Sequence, residues 1–183
     1  MPLTDQELSK DRINFEGNLS PEEIEFLIQN HDIKFIQTTG PIAVETWNNI
    51  NQDLLVQRPD IELRIYGFYG QICDLSFLQY LKNVKRLSVD CIENAIGIEN
   101  ISALQNLECL SVGISNLENF DFLETLNHQK MISLSLAATK SKQPHLSCLS
   151  KFTNLKSLYL ESQQKGIESI VALLNLEKLV LHS

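Results

Sequence analysis

Residues 98–112 read IENISALQNLECLSV. Ile98, Ile101, Leu104, Leu107 and Leu110 recur at every third position, and the step then drops to two at Val112. A helix places apolar residues at three and four, and a half-buried strand places them at two. A run of threes fits a tight 3-10 turn, in which side chains at i and i+3 eclipse. The closing two fits a short strand whose alternate side chains share one face. The stretch therefore predicts a turn that runs straight into a strand, with all six apolar residues facing one interior.

The same pattern recurs along the chain. "VKRLSV" (84–89), "LECLSV" (107–112), "MISLSL" (131–136), "LKSLYL" (155–160) and "LEKLVL" (176–181) superimpose as apolar-x-x-apolar-x-apolar. Their last apolar residues, Val89, Val112, Leu136, Leu160 and Leu181, are separated by 23, 24, 24 and 21 residues. "IELRIYG" (61–67) puts Leu63 and Ile65 in the same frame, 24 residues ahead of Leu87 and Val89. The threes recur as well, from Ile72 to Leu87, from Leu146 to Leu158 and from Ile167 to Leu179. "LNHQKM" (126–131) sets Leu126 and Met131 five apart, an insertion of two residues in one repeat. A unit this short cannot bury its apolar face alone, so the repeats must stack into one continuous core.

Five repeats in register over about residues 61–183 resemble the leucine-rich-repeat family, in its internalin-like class with short helical outer turns, as in short bacterial members. The resemblance implies an α/β fold: a curved right-handed solenoid, a parallel concave β-sheet, and short helical or 3-10 turns on the convex side. Residues 61–183 then hold about five repeats, the last one incomplete. The family's asparagine after the strand is missing. Phe68, Ile92, Ser115, Thr139 and Gln163 stand there, so the turn backbone must be satisfied in another way.

Residues 1–60 show no regular repeat and are expected to form an irregular N-terminal cap with two helices, continuous with the solenoid. Ile13 and Phe15 in "RINFEG", and Ile33 and Phe35 in "DIKFIQ", are assigned as inward strand positions. "SPEEIEFLIQN" (20–30) carries a capping box, with Ser20 as N-cap, Pro21 at the first helical position and Glu23 at N3. "PIAVETWNNINQDLLVQ" (41–57) spaces Val44, Trp47, Ile50 and Leu54 as one helix face, which makes Trp47 a core residue and not a partner anchor. At the other end "LEKLVLHS" stops just after a strand without a polar cap. A solenoid end needs covering. The expectation is further repeats beyond it, or another chain against it, including end-to-end self-association through the uncapped coil.

The formal charge of −8 is uneven. Residues 1–60 hold 4 Lys and Arg against 11 Asp and Glu, whereas residues 61–183 hold 11 against 12. An acidic surface disfavours nucleic acid and suits a basic partner. No apolar run approaches the ~18 residues of a membrane span, and the polar start does not look like a secretory signal. A cytoplasmic protein is expected, with Cys73, Cys91, Cys109 and Cys148 as free thiols. Cys91 and Cys109 fall at opposite strand ends in adjacent coils, on the order of 15 Å apart, too far for a disulfide.

Chemistry has little support. P-loop, GxGxxG and HExxH motifs are absent, and "GFYG" (67–70) reads as a turn. His145 and Cys148 in "HLSC" are too few for a metal site, and the four histidines lie in separate coils. No catalytic residue, cofactor or metal is expected. The residues skipped by the inward pattern must face the other side of the sheet. One such row reads Arg64, Ser88, Ser111, Ser135, Tyr159, Val180; the next reads Tyr66, Asp90, Gly113, Ala137, Glu161, His182. Small residues there allow a partner's backbone to approach, and tyrosine is an enriched anchor; they also relieve crowding on a curved sheet. A second candidate is the acid-free stretch 125–160, with Lys130, Lys140, Lys142, Lys151 and Lys156 and the loop "AATKSKQPH" (137–145). It reads as a basic patch for an acidic partner or as solvated lysines.

The expected function is non-catalytic protein binding on the concave sheet, with neither nucleic acid nor membrane as partner. By analogy with short bacterial repeat proteins it includes a toxin-neutralising immunity protein, whose acidic cap would oppose a basic toxin. The alternatives are a scaffold or regulatory subunit of a cytosolic complex, and the binding part of a longer effector.

Overall fold

The computed structural model describes residues 3–4, 10–140, 145–162 and 165–182. Eleven strands run in chain order: β1 Leu3–Thr4, β2 Arg12–Phe15, β3 Phe35–Thr38, β4 Glu62–Tyr66, β5 Ile72–Asp74, β6 Arg86–Ile92, β7 Asn94–Ile96, β8 Cys109–Ile114, β9 Ser133–Leu136, β10 Ser157–Glu161 and β11 Lys178–His182. Nine form one sheet in the order β1-β2-β3-β4-β6-β8-β9-β10-β11. All neighbours in it are parallel except β1, which runs antiparallel to β2. β5 and β7 make a separate two-stranded parallel sheet on the returning side of two coils.

The register aligns one inward residue per coil: Ile13, Ile36, Leu63, Leu87, Leu110, Leu134, Leu158 and Leu179. From Leu63 onward the steps are those of the sequence pattern. The first two are 23 and 27 residues, so β2 and β3 continue the sheet into the first sixty residues. The threes form 3-10 turns at Ser76–Tyr80, Ile98–Ala103, Asp121–Thr125, Ser147–Lys151 and Ile167–Ala172. Ile101, Leu104, Leu107, Leu110 and Val112 are buried, and Ile98 packs against them at the margin. Gly97 and Gly166 precede equivalent turns with φ of +76° and +79°, a left-handed conformation that glycine adopts without strain. A Cβ at Gly166 would lie 2.6 Å from the His145 ring.

One strand assignment is corrected. In β3 the inward residues are Ile36 and Thr38, paired with Leu63 and Ile65. Phe35 faces the opposite side with the Arg12 guanidinium 4.6 Å above its ring, and Ile33 is buried in the turn before the strand. A slip of one residue exchanges the two faces of a strand. "DIKFIQ" allows both frames; the pairing of Ile36 and Thr38 with the inward residues of β4 selects the second.

The first helix, α1 Pro21–Gln29, has the capping box: Glu23 N–H donates to Ser20 Oγ, and Ser20 N–H donates to Glu23 Oε2. The second helical segment begins as α2 Val44–Asn49, widens into a π turn at Ile50–Leu54 and closes as α3 Leu55–Gln57. The widening brings both Leu54 and Leu55 inward, while Val44, at the start of α2, is exposed. Trp47 is buried, stacked on Phe77 at 4.3 Å and edge-on to Phe15 at 6.1 Å, so it joins the cap to the first regular coil. Arg58 is also buried. Its guanidinium donates to the carbonyls of Leu27, Asn30 and Ile33 and forks onto Asp60, tying the end of α1 to the start of β4.

An asparagine ladder appears at the opposite strand end from the one where the family's asparagine was sought. Asn83, Asn106, Asn154 and Asn175 each directly precede a buried or part-buried apolar turn residue. Their side-chain amides donate to the carbonyls of Asn51, Lys82, Gln129 and Thr153 in the preceding coil, at 2.8–3.1 Å. Lys130 holds the equivalent place in the irregular coil, and its ammonium reaches Asn106 Oδ1 at 2.7 Å instead. Cys91, at the irregularity of β6, and Ser162, just past β10, are left-handed with φ of 54°, and coil-to-coil bonds such as Ser115 N–H to Ile92 O take up the turn backbone.

Candidate functional site: the concave sheet

Alternation along each strand turns three rows of side chains outward. The register confirms the central row as Arg64, Ser88, Ser111, Ser135, Tyr159, Val180 and extends it two strands further, to Gln37 and Asn14. The first row comprises Arg12, Phe35, Glu62, Arg86, Cys109, Ser133, Ser157 and Lys178. The third includes Tyr66, Asp90, Gly113, Ala137, Glu161 and His182. Gln37 escaped the sequence reading because the misframed β3 had turned it inward, and the outward row therefore stopped at Arg64, short of Asn14. Aligning "IQT" (36–38) with "LRI" (63–65) is the signal that finds them.

These rows divide the face into two unlike halves. On the N-terminal half the polar side chains are wired together. Arg64 forks onto both oxygens of Asp90 at 2.6–3.0 Å, lies 4.5 Å over the Tyr66 ring, and donates to Gln37 Oε1 at 3.2 Å. Hydrogen bonding to Asp90 raises the Arg64 pKa. Gln37 Nε2 and the Tyr66 hydroxyl both donate to Asn14 Oδ1, at 2.5 and 3.4 Å. A cleft of about 170 Å³ between Asn14, Gln37, Thr38, Thr39 and Tyr66 opens beside this network. Ser88 lies beneath it, 5% exposed, with its hydroxyl donating to Glu62 Oε1 at 2.5 Å. It is a support and not a contact residue.

On the C-terminal half the face is low. Ser111, Ser133, Ser135, Ala137 and Ser157 are partly open to solvent, with Tyr159 standing above them. Gly113 is there for packing: a Cβ would meet Asp90 Cβ at 3.3 Å and Ala137 Cβ at 3.4 Å, beside the irregularity that β6 carries between Val89 and Ile92. Glu161 accepts from the Ala138 amide, which fixes its carboxylate at the margin.

The lysine candidates do not form one patch: Lys130 and Lys156 line a cleft of about 560 Å³ together with Lys85, Glu108 and Glu177, while Lys140 and Lys151 lie apart from it. Lys140 pairs with Glu93 at 2.7 Å, Lys156 with Glu177 at 2.9 Å, and Lys151 with Glu124. Lys151 sits on a convex turn, Lys130 and Lys156 at the leading ends of strands, and Lys140 past the trailing end of β9. Lys142 lies outside the described residues. The basic patch expected over 125–160 is thus dispersed, and acids from neighbouring coils offset it.

Chemical groups are sparse. The four cysteines are free. Burial pushes the Cys73 thiol up to about 12 and the Cys148 thiol up to about 11, so both are protonated at neutral pH. Cys91 and Cys109 lie at opposite strand ends, each with its pKa raised chiefly by burial. His145 Nδ1 accepts from the Ser147 amide. Among the described residues no three His, Cys, Asp or Glu side chains converge to hold a metal ion, and no helix is long and apolar enough to cross a membrane.

The fold matches solved structures. Internalin C2 from Listeria monocytogenes aligns with a TM-score of 0.56 and 18% identity, over 93% of this chain and 80% of that one. The internalin inlF from the same organism aligns with a TM-score of 0.56 and 20% identity, over 93% of this chain and 47% of that one. The sequence matches no protein-family model and no curated protein. The chain folds as a leucine-rich-repeat solenoid of the internalin type, with a parallel sheet on its concave side and 3-10 turns on its convex side.

Proposed function

We propose that the chain is a non-catalytic binding module that holds a protein partner on its concave sheet. The observation that carries this reading is the contrast between the two halves of that face. Stacked parallel strands build an extended curved surface by construction. The Arg64–Asp90–Tyr66 network gives it a rigid, directional margin, and the low floor around Ser111 and Ser135 lets a partner approach the sheet closely. Tyr159 offers an aromatic anchor beyond that floor. In this reading the protein acts in the cytoplasm. The acidic first sixty residues, where Glu16, Glu22, Glu25, Asp32, Glu45 and Asp53 are exposed, favour a basic partner and so a toxin-neutralising immunity role.

The test is a photo-crosslinking amino acid placed at Ser135 in one protein and at Ser102, on a convex turn, in another. Crosslinking of a partner from position 135 and not from 102 is expected. Ser111→Arg with Ser135→Arg, in a protein without the crosslinker, should abolish pull-down of that partner without moving the melting temperature. Undiminished binding by the double variant overturns the concave-face reading. The immunity role is checked by co-expression with the product of a neighbouring toxin-like gene: rescue of growth is expected, and its absence refutes that role alone.

A further inference from the structure

The trailing ends of β2, β3 and β4 enclose a polar cleft. Asn14 and Glu16 from β2 and its end, Thr38 and Thr39 from the end of β3, and Tyr66 from β4 line it. Glu16 is the one charged residue among the described lining residues. Each ion pair among the described residues joins a lysine or arginine to some other acid, so the exposed Glu16 carboxylate carries an uncompensated charge. Arg64 lies close by, but Asp90 matches its charge.

The turn after β4 adds an aromatic ring to the rim of this cleft. Phe68 is buried in a left-handed conformation, with φ of 54°, while the next residue, Tyr69, is 82% exposed. A Cβ at Gly67 would meet Tyr69 Cε2 at 3.2 Å and Thr39 Cγ2 at 3.5 Å, so the ring stands beside the Thr39 wall. Tyr69 takes no part in the hydrophobic core. The turn thus buries one ring and holds the other in water next to a cleft that bears a carboxylate.

We infer that this cleft receives an arginine side chain of the protein partner. The inference rests on the reading above, in which the partner is basic and lies on the concave sheet. A guanidinium stacks on aromatic faces and forks onto carboxylates, and Tyr69 and Glu16 offer those two elements. Arg64 has that arrangement within the chain, 4.5 Å over the Tyr66 ring and forked onto Asp90. The Tyr66 hydroxyl donates to Asn14 Oδ1, and its oxygen remains able to accept a further N–H. The cleft begins at β4, two strands from Ser111 on β8, about 10 Å across the sheet. One partner therefore reaches both: the low floor admits its backbone, and the cleft fixes its position along the solenoid.

Nuclear magnetic resonance titration of the intact chain with the tripeptide acetyl-Gly-Arg-Gly-amide, at millimolar concentration, tests this. Saturable shifts of the Glu16, Thr39, Tyr66 and Tyr69 amides are expected. The citrulline tripeptide has the same shape without the charge and should leave them in place. Glu16→Gln with Tyr69→Ala changes two exposed positions. It should weaken binding of the arginine tripeptide about fivefold, the loss of one cation–π contact and one exposed ion pair, with unchanged far-ultraviolet circular dichroism. Absence of the shifts, an equal response to citrulline, or undiminished binding by the double variant overturns the inference. Pull-down separates it from the concave-face reading: a partner that is lost with Ser111→Arg and Ser135→Arg, yet binds the Glu16→Gln, Tyr69→Ala protein as tightly as the unaltered one, overturns the cleft alone.

Discussion

The first sixty residues and the coils that follow build the same sheet by different means. From Leu63 onward each coil repeats a small kit: apolar residues at threes and then at two, and at four of the junctions an asparagine that bonds the coil before. The first two coils have no such kit. Individual side chains hold them, with Arg58 on three carbonyls and Trp47 between Phe15 and Phe77. A repeated interaction can be lost once and compensated by its neighbours, whereas a singular one cannot.

The largest expected effect falls in the regular coils, and it sharpens the comparison by showing what repetition does not tolerate. Leu104→Asp puts an unpaired charge into a continuous core. It should prevent soluble folding, read as loss of the soluble fraction and of cooperative melting. A well-folded variant would show that the threes do not face inward.

Arg58→Met comes next. It leaves the carbonyls of Leu27, Asn30 and Ile33 without their donor, and each buried group left unsatisfied costs about 1–3 kcal/mol. Urea unfolding measures it. Hydrogen bonding to Arg58 also holds the Asp60 carboxyl well below the usual carboxylate range. The folded pKa is depressed, so that contribution is present above the unfolded value of about 3.9 and fades as pH falls below it. Asp60's own side chain is 47% exposed, so solvent screens it and the carbonyl bonds carry most of the loss. The Met variant should lose the part of the acid-destabilisation profile that Asp60 supplies; an unchanged profile would mean that the pair does not act in the fold.

The smallest effect is Asn154→Ala, which removes one rung to Gln129 O. About 1 kcal/mol is expected in urea unfolding, the net worth of one hydrogen bond. A loss as large as that of Arg58→Met would erase the distinction between repeated and singular interactions.

The regular coils were legible because a period of 23–24 residues and the switch from three to two come directly from packing. What the sequence hid follows the same logic. "DIKFIQ" has apolar residues on both faces, since Phe35 is covered by Arg12 as Ile36 is by the core, so alternation alone could not set its frame. The lysines of 125–160 looked unopposed because their acids lie a coil or two away: Glu177 lies 21 residues from Lys156, Glu124 lies 27 from Lys151 and Glu93 lies 47 from Lys140. Solenoid neighbours are distant in sequence by one period, and a local charge count misses them. Of the candidate face, the central row was legible from Arg64 to Val180, while the bonds that divide it into a rigid half and a low half depend on side-chain reach across strands.

The break in the asparagine ladder has a mechanical consequence. Tension applied between the two ends of the solenoid runs across the strands and is borne in series, every junction carrying the same load. Between the coils of Asn106 and Lys130 the amide-to-carbonyl rung is replaced by a flexible ammonium on a side-chain oxygen. Pulled from its ends, the molecule should part first at that junction, leaving the cap with its adjoining coils on one side and the last three strands on the other.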